Sequence, residues 1–254
     1  MTAHSPIGAS QRAKKSVRPG PAWREPKAAR QARAKAIVRR LRREYPDAAA
    51  ELAYANPFQF LIAVILSAQT TDVTVNRVTP ELFRRFPTPE ALAAAPQEEV
   101  EQIIYASGFY RSKARSIRAT AAQLVSEFDG RVPQTMEELL RLRGVARKTA
   151  NVVLGEAFGI PGGFVVDTHV KRLAGRLGLS KLTDPVKVER DLMGVLDEAN
   201  WIFAGIGLIW HGRRVCFARK PDCVRCTLQD ICPSSTTPLR PATSPFQSQA
   251  GGSQ

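Results

Sequence analysis

Cysteine is absent from the first 215 residues, and all four cysteines fall between Cys216 and Cys232. That absence excludes the evenly spread disulfide framework of a small secreted protein. A tight cluster in an otherwise cysteine-free chain reads instead as a metal site. Long apolar runs are missing too. None approaches the roughly 18 residues needed to span a bilayer, and no signal-peptide core follows the start, so no membrane partner is expected. Acidic side chains are scarce: none precedes Glu25, and the chain carries 23 Asp and Glu against 37 Lys and Arg, a formal net charge of +14. A solvated basic face or an acidic membrane surface would account for such an excess, but a polyanion, most often nucleic acid, is the favoured partner. Alternating strand patterns of useful length are also lacking, which excludes a sheet and leaves an all-α fold.

The 254 residues suffice for one large domain or two modest ones. Residues 1–28, rich in Pro, Ala, Ser, Lys and Arg without a helical apolar period, read as a disordered basic arm. An organellar transit peptide is the minor alternative, since no amphipathic stripe accompanies the arginines. Residues 234–254 are of low complexity and read as a disordered tail. Between these tails the period is helical. Ala114, Ile117, Ala121, Leu124, Val125 and Phe128 recur at steps of three and four before a stop at Gly130. PFQFLIAVILSAQ (57–69) opens on proline and is apolar on almost every side, as a buried helix is. Further helices are expected near 30–45, 72–86, 97–106, 146–158, 168–177, 185–196 and 202–214.

MEELLRL (136–142) is a short amphipathic helix and ARKTANVVLGEAF (146–158) a long apolar one, joined by the tight turn Leu142-Arg143-Gly144-Val145-Ala146. Such a corner exposes backbone N–H groups at the second helix start, where they bind a phosphate without reading sequence. Lys148 sits in the first turn of that helix, facing the positive end of the dipole. Either a DNA phosphate supplies the missing negative charge, or the lysine is placed to lose its proton. Asp167 precedes another helix and fits an N-cap.

LRGVARKTANVVL followed by VDTHVKRL (166–173) resembles the helix-hairpin-helix of the endonuclease III family of DNA glycosylases. The similarity continues in LIAVILSAQTTDVTVN (61–76), SGFYRSKA (107–114), WHGRRVC (210–216) and the cysteines, and covers about residues 30–233. It implies that Lys148 is the nucleophile and Asp167 its carboxylate partner, in a bifunctional glycosylase and abasic-site lyase; related adenine glycosylases hold another residue at the lysine position. A carboxylate near the sugar stabilises oxocarbenium character at C1′. The attacking amine must be neutral, and a helix N-terminus, neighbouring Arg147 and a dry pocket are expected to lower its pKa. Without the resemblance, a phosphate clamp is the simpler role for Lys148. His169 borders the site by resemblance, or is a helix-surface histidine.

The spacing of Cys216, Cys223, Cys226 and Cys232 is C-x6-C-x2-C-x5-C, with only Cys223 and Cys226 forming a C-x2-C pair. It departs from paired zinc knuckles and from the ferredoxin pattern. The resemblance implies a [4Fe-4S] cluster; a structural zinc is the alternative. Arg213, Arg214 and Arg225 are expected to offset the charge of four thiolates, and Arg219 and Lys220 lie where a loop can meet the DNA backbone. A base enzyme must also extrude its target and fill the gap. Gln69 matches the family residue that enters the vacated space, and Phe109 the wedge, where the best-known relatives carry an aliphatic side chain. Otherwise Gln69 is a helix-end polar residue and Phe109 a core aromatic, while Asp72 is expected as an N-cap. The hairpin departs from the family's L-P-G-V-G: Arg143 replaces proline, and Ala146 replaces a glycine that allows close phosphate approach or positive φ.

The expectation is therefore an all-α protein of two helical domains. Residues 50–160 carry the hairpin and residues 30–49 with 161–233 carry the cluster. Gln69, Phe109, Gly144, Ala146, Arg147 and His169 would bind duplex DNA containing oxidised pyrimidines or abasic sites. The protein is expected to be monomeric and to work in the cytoplasm at the nucleoid. The competing readings are a related glycosylase with a different lesion preference, or mainly abasic-site lyase activity, and, from another class, a non-catalytic DNA-binding iron–sulfur protein.

Overall fold

The computed structural model describes residues 25–236, and no strand occurs among them. Eleven α-helices follow one another: α1 (Lys27–Glu44), α2 (Pro57–Leu66), α3 (Asp72–Arg85), α4 (Pro89–Ala94), α5 (Gln97–Ile103), α6 (Tyr110–Phe128), α7 (Met136–Arg141), α8 (Arg147–Phe158), α9 (Thr168–Arg176), α10 (Pro185–Met193) and α11 (Trp201–Arg214). No single helix among the described residues is long and apolar enough to cross a membrane. The expected basic arm and tail lie mostly outside the described residues. Lys27 and Ala28, placed in the arm by composition, instead begin α1.

Two separate apolar cores form. The first gathers α2 to α8 around Phe60, Leu61, Ile62, Leu82, Ile117 and Leu124, all at or near zero exposure. Its centre is α2, where Asn56 caps the start by accepting from Gln59 N at 2.9 Å and Pro57 stands at the first helical position. α6 lays Ala114, Ile117, Ala121 and Leu124 against it, and stops where Asp129 and Gly130 turn left-handed. Each buried Leu or Ile contributes about 1.5–3 kcal/mol, so Ile117→Asp alone would open this core. The second core joins α1 to α9, α10 and α11 through Ile37, Leu41, Phe164, Leu173, Leu192 and Leu208.

Some expected boundaries change. α4 lies outside the expected helices, because the six residues PEALAA are too few to display a helical period. Residues 185–196 end as a helix at Met193, with Gly194 as C-cap. Asp72 is not the N-cap of α3: Thr71 is, accepting from Thr74 N at 3.3 Å, and Asp72 is the first helical residue. Phe109 is no core aromatic; it is 68% exposed, in a left-handed conformation (φ 48°).

Candidate active site

The turn between α7 and α8 is held from behind by α6. Gln123 accepts the Arg143 N–H at 2.8 Å, and the Thr120 hydroxyl donates to the Arg143 carbonyl. Gly144 has φ +81°, and a Cβ there would stand 3.2 Å from Ser116 Cβ, so both conformation and space call for glycine. Ala146 has φ −97° and ψ 168°, ordinary extended backbone that carries no left-handed strain. α8 then begins with no side-chain cap and no acidic residue in its first turn. α9 begins on Asp167, whose carboxylate accepts from Val170 N at 2.7 Å.

A cleft of about 320 Å³ separates the two cores, at the small end of the range of about 300–1,000 Å³ for ligand pockets. Lys148 and Ala146 line it from α8, Asp167 from the start of α9, and Gln69 and Asp72 from the α2–α3 loop. Ile202, Ile206 and Ile209 of α11 and Val152 of α8 supply apolar wall. Lys148 is exposed and has no side-chain hydrogen bond or ion pair among the described residues. The dry surroundings expected for it are therefore absent from the free protein, because the cleft is open at α8. Gln69 is exposed with φ 55°, beyond the end of α2.

The structure brings Lys148, Asp167, Gln69 and Ala146 to one cleft and leaves Phe109, Gly144, Arg147 and His169 outside its lining. Arg147 does not stand as a free cation beside Lys148. Its guanidinium grips Glu189 of α10 with two bonds, Nε to Oε2 at 2.7 Å and Nη2 to Oε1 at 3.0 Å. Glu189 is 4% exposed and also accepts from Asn151 Nδ2 at 2.9 Å. Gly163 passes so close that an added Cβ would meet Glu189 Oε1 at 2.3 Å. His169 Nδ1 lies 3.2 Å from Arg172 Nη2. Sequence reasoning gave no warning of Glu189, a charged residue in a charged helix, nor of Glu156. The Glu156 carboxylate faces the cleft, accepts from Ala50 N at 3.0 Å, and has its pKa raised by burial.

The four cysteines line a second cavity, with His211, Arg176 and Leu173. Arg176 Nη1 donates to Cys216 Sγ at 3.2 Å, the Leu228 N–H approaches Cys226 Sγ at 3.4 Å, and His211 Nε2 lies 3.4 Å from the same sulfur. Tyr45 Oη is 3.1 Å from His211 Nδ1. Burial pushes the Cys226 thiol up to about 11 and the imidazole of His211 down to about 4. Among the described residues no three His, Cys, Asp or Glu side chains converge as a single-ion site. Four thiols lining one cavity, with Arg176 Nη1 and the Leu228 N–H beside sulfur, are a donor set that fits an iron–sulfur group. The arginines expected to offset thiolate charge are engaged by other groups. Arg213 pairs with Glu51 at 2.6 Å and Asp72 at 3.0 Å, Arg214 stacks 3.8 Å over the Trp210 ring, and Arg225 pairs with Asp222 at 2.6 Å. Arg176 takes that place instead.

A helical protein with a hairpin beside a cleft between two cores defines a class, and the family model of the HhH-GPD superfamily base excision DNA repair proteins matches residues 62–198. The chain is 53% identical to Endonuclease III of Synechocystis sp. over 82% of its own length and 95% of that protein. It matches the solved structure of a non-covalent Endonuclease III–DNA complex with a TM-score of 0.76 and 42% identity, covering 81% of this chain and 96% of that one. The structure of a trapped Endonuclease III–DNA covalent intermediate matches with the same TM-score, identity and coverage. The chain belongs to the endonuclease III family: it is a base excision repair DNA glycosylase and abasic-site lyase.

Proposed function

We propose that the protein removes oxidised pyrimidines from duplex DNA and cuts the resulting abasic strand, with Lys148 as nucleophile and Asp167 as its carboxylate partner. One observation carries this reading: a lysine and an aspartate from opposite cores line the same cleft, and the lysine has no competing partner among the described residues. Asp167 uses one carboxylate oxygen as the α9 cap and stabilises positive charge at C1′ as the base leaves. DNA closing the cleft removes water from around Lys148. Its amine attacks C1′, and the base departs with the C–N bonding electrons and gains a proton. The attached amine sheds a proton, the C1′–O4′ bond opens with O4′ taking a proton, and a protonated Schiff base remains. Loss of a C2′ proton then expels the 3′ phosphate by β-elimination.

The uncapped start of α8 and the Gly144 turn receive a phosphate of the bound strand, while Gln69 and Phe109 enter the duplex around the extruded base. The two cores act as the two domains that flank the DNA, in a monomer working on cytoplasmic DNA. Cys216, Cys223, Cys226 and Cys232 hold a [4Fe-4S] cluster, which supplies structural cross-linking and electron-transfer capacity but no step of glycosidic chemistry. Borohydride trapping on abasic DNA tests the nucleophile. The wild type should give a covalent adduct and Lys148→Gln none; equal trapping by that variant would remove Lys148 from the reaction.

A further inference from the structure

Lys113 is the one buried lysine among the described residues, at 6% exposure, and it forms no ion pair there. A lysine without a carboxylate rarely sits so deep. Burial lowers its pKa, so its place costs stability and calls for a reason. Its Nζ donates to Thr70 Oγ1 at 2.5 Å and to the Ser107 carbonyl at 2.7 Å, and the Thr70 hydroxyl donates to that carbonyl as well. Its backbone N–H also donates to the Phe109 carbonyl at 3.0 Å, closing the first turn of α6.

These partners flank two unusual places. Thr70 follows Gln69 (φ 55°), and Ser107 precedes Gly108 (φ 65°) and Phe109 (φ 48°). Left-handed backbone at two large non-glycine residues persists only where surroundings over-determine it. One ammonium touching both loops is such a surrounding, and it ties together segments that lie 43 and 6 residues from it in sequence.

We propose that Lys113 is a positioning residue, a staple that fixes the spacing of the Gln69 and Phe109 loops so that both side chains enter the duplex as one unit. This rests on the reading that Gln69 and Phe109 open the duplex. Without the staple each loop relaxes separately, and extrusion of the target slows although the reacting groups are untouched.

The test follows extrusion by stopped-flow fluorescence of a 2-aminopurine placed beside a thymine glycol, with full-length protein in a Lys148→Gln background so that no bond breaks. Lys113→Met removes the donors, and Thr70→Val removes their side-chain acceptor at nearly constant shape. Both should slow extrusion about tenfold or more, the scale of effect that small misplacements produce. The double variant should be no worse than the slower single, and affinity for undamaged duplex should stay at the parent value. Parent-like extrusion in Lys113→Met or Thr70→Val overturns the staple; if Lys113→Met does not fold, Thr70→Val decides alone. Gln69→Ala and Phe109→Ala are the controls. If they extrude normally, the duplex-opening reading fails and the staple with it; if they fail to extrude while the Lys113 and Thr70 variants succeed, only the staple is wrong.

Discussion

Two helices that start in the same cleft begin in opposite ways. α9 opens on Asp167, which closes its own helix end with a side-chain bond. α8 opens on Ala146, which offers no side chain to its N–H groups, and follows with Arg147 and Lys148. A capped start is electrostatically satisfied and holds its carboxylate still. At the uncapped start Arg147 is already matched by Glu189, whereas Lys148 has no partner among the described residues, and such a helix end finds its complement in an anion. Local stability has been set aside at α8 and kept at α9, and the proposed chemistry needs both: a fixed carboxylate, and an unpaired amine beside a phosphate-binding turn.

Asp167→Asn should break this comparison most sharply. Asparagine caps about as well as aspartate, so the melting temperature should hold, while base removal falls by about 10²–10³-fold with the charge gone. Single-turnover excision at wild-type rate would reduce Asp167 to a cap. Next in size, Ala146→Asp should make α8 resemble α9. Ala146 already has the extended backbone of a cap residue, so the variant should gain about 1 kcal/mol in denaturant unfolding. The new carboxylate should occupy the N–H groups and repel phosphate, weakening DNA binding about tenfold. Tighter binding would show that the α8 start does not face DNA.

The turn into α8 gives a smaller effect. With Ala146 unstrained, the departure that matters is Arg143, exposed and, among the described residues, anchored only through its backbone. Arg143→Gln keeps that N–H and should reduce the salt dependence of log K by about one. An unchanged slope would mean that Arg143 touches no phosphate.

The far end of α8 gives the smallest. Burial raises the Glu156 pKa above the ordinary value of 4.5. The folded state thus binds the proton more tightly than the unfolded one. The resulting stability is complete below the unfolded pKa and is lost as pH rises through the folded pKa. Glu156→Gln keeps the acceptor for Ala50 N and removes the titration. Its melting temperature relative to wild type should therefore rise as pH climbs from 4.5. A difference independent of pH would show that the carboxyl titrates normally.

The parts of this contrast were not equally legible in the sequence. α2 and α6 declare themselves through apolar runs and steps of three and four, which need no tertiary context. The Asp167 cap is local as well, a polar residue directly before a helix. The pairing of Arg147 was not legible, because its partner Glu189 lies 42 residues away in another helix and no pattern in either segment announces the pair. Lys113 sits among apolar positions of α6 at a spacing that marks a buried face, yet lysine there suggests a solvated edge. The residues around Phe109 did not by themselves separate a wedge from a core aromatic, since an aromatic flanked by glycine and tyrosine serves either; the family motif pointed to the exposed role, and the left-handed backbone had no signal.

The Arg147–Glu189–Asn151 knot ties α8 of the first core to α10 of the second, through a carboxylate almost cut off from water. Swinging one core against the other would strand that charge, so the gap between Lys148 and Asp167 behaves as a gauge of set width. Compliance must then come from the nucleic acid. A duplex weakened by a damaged base would yield to such a gauge more readily than an intact one, and mechanical softness would then be a criterion of selection before any atom of the base is read.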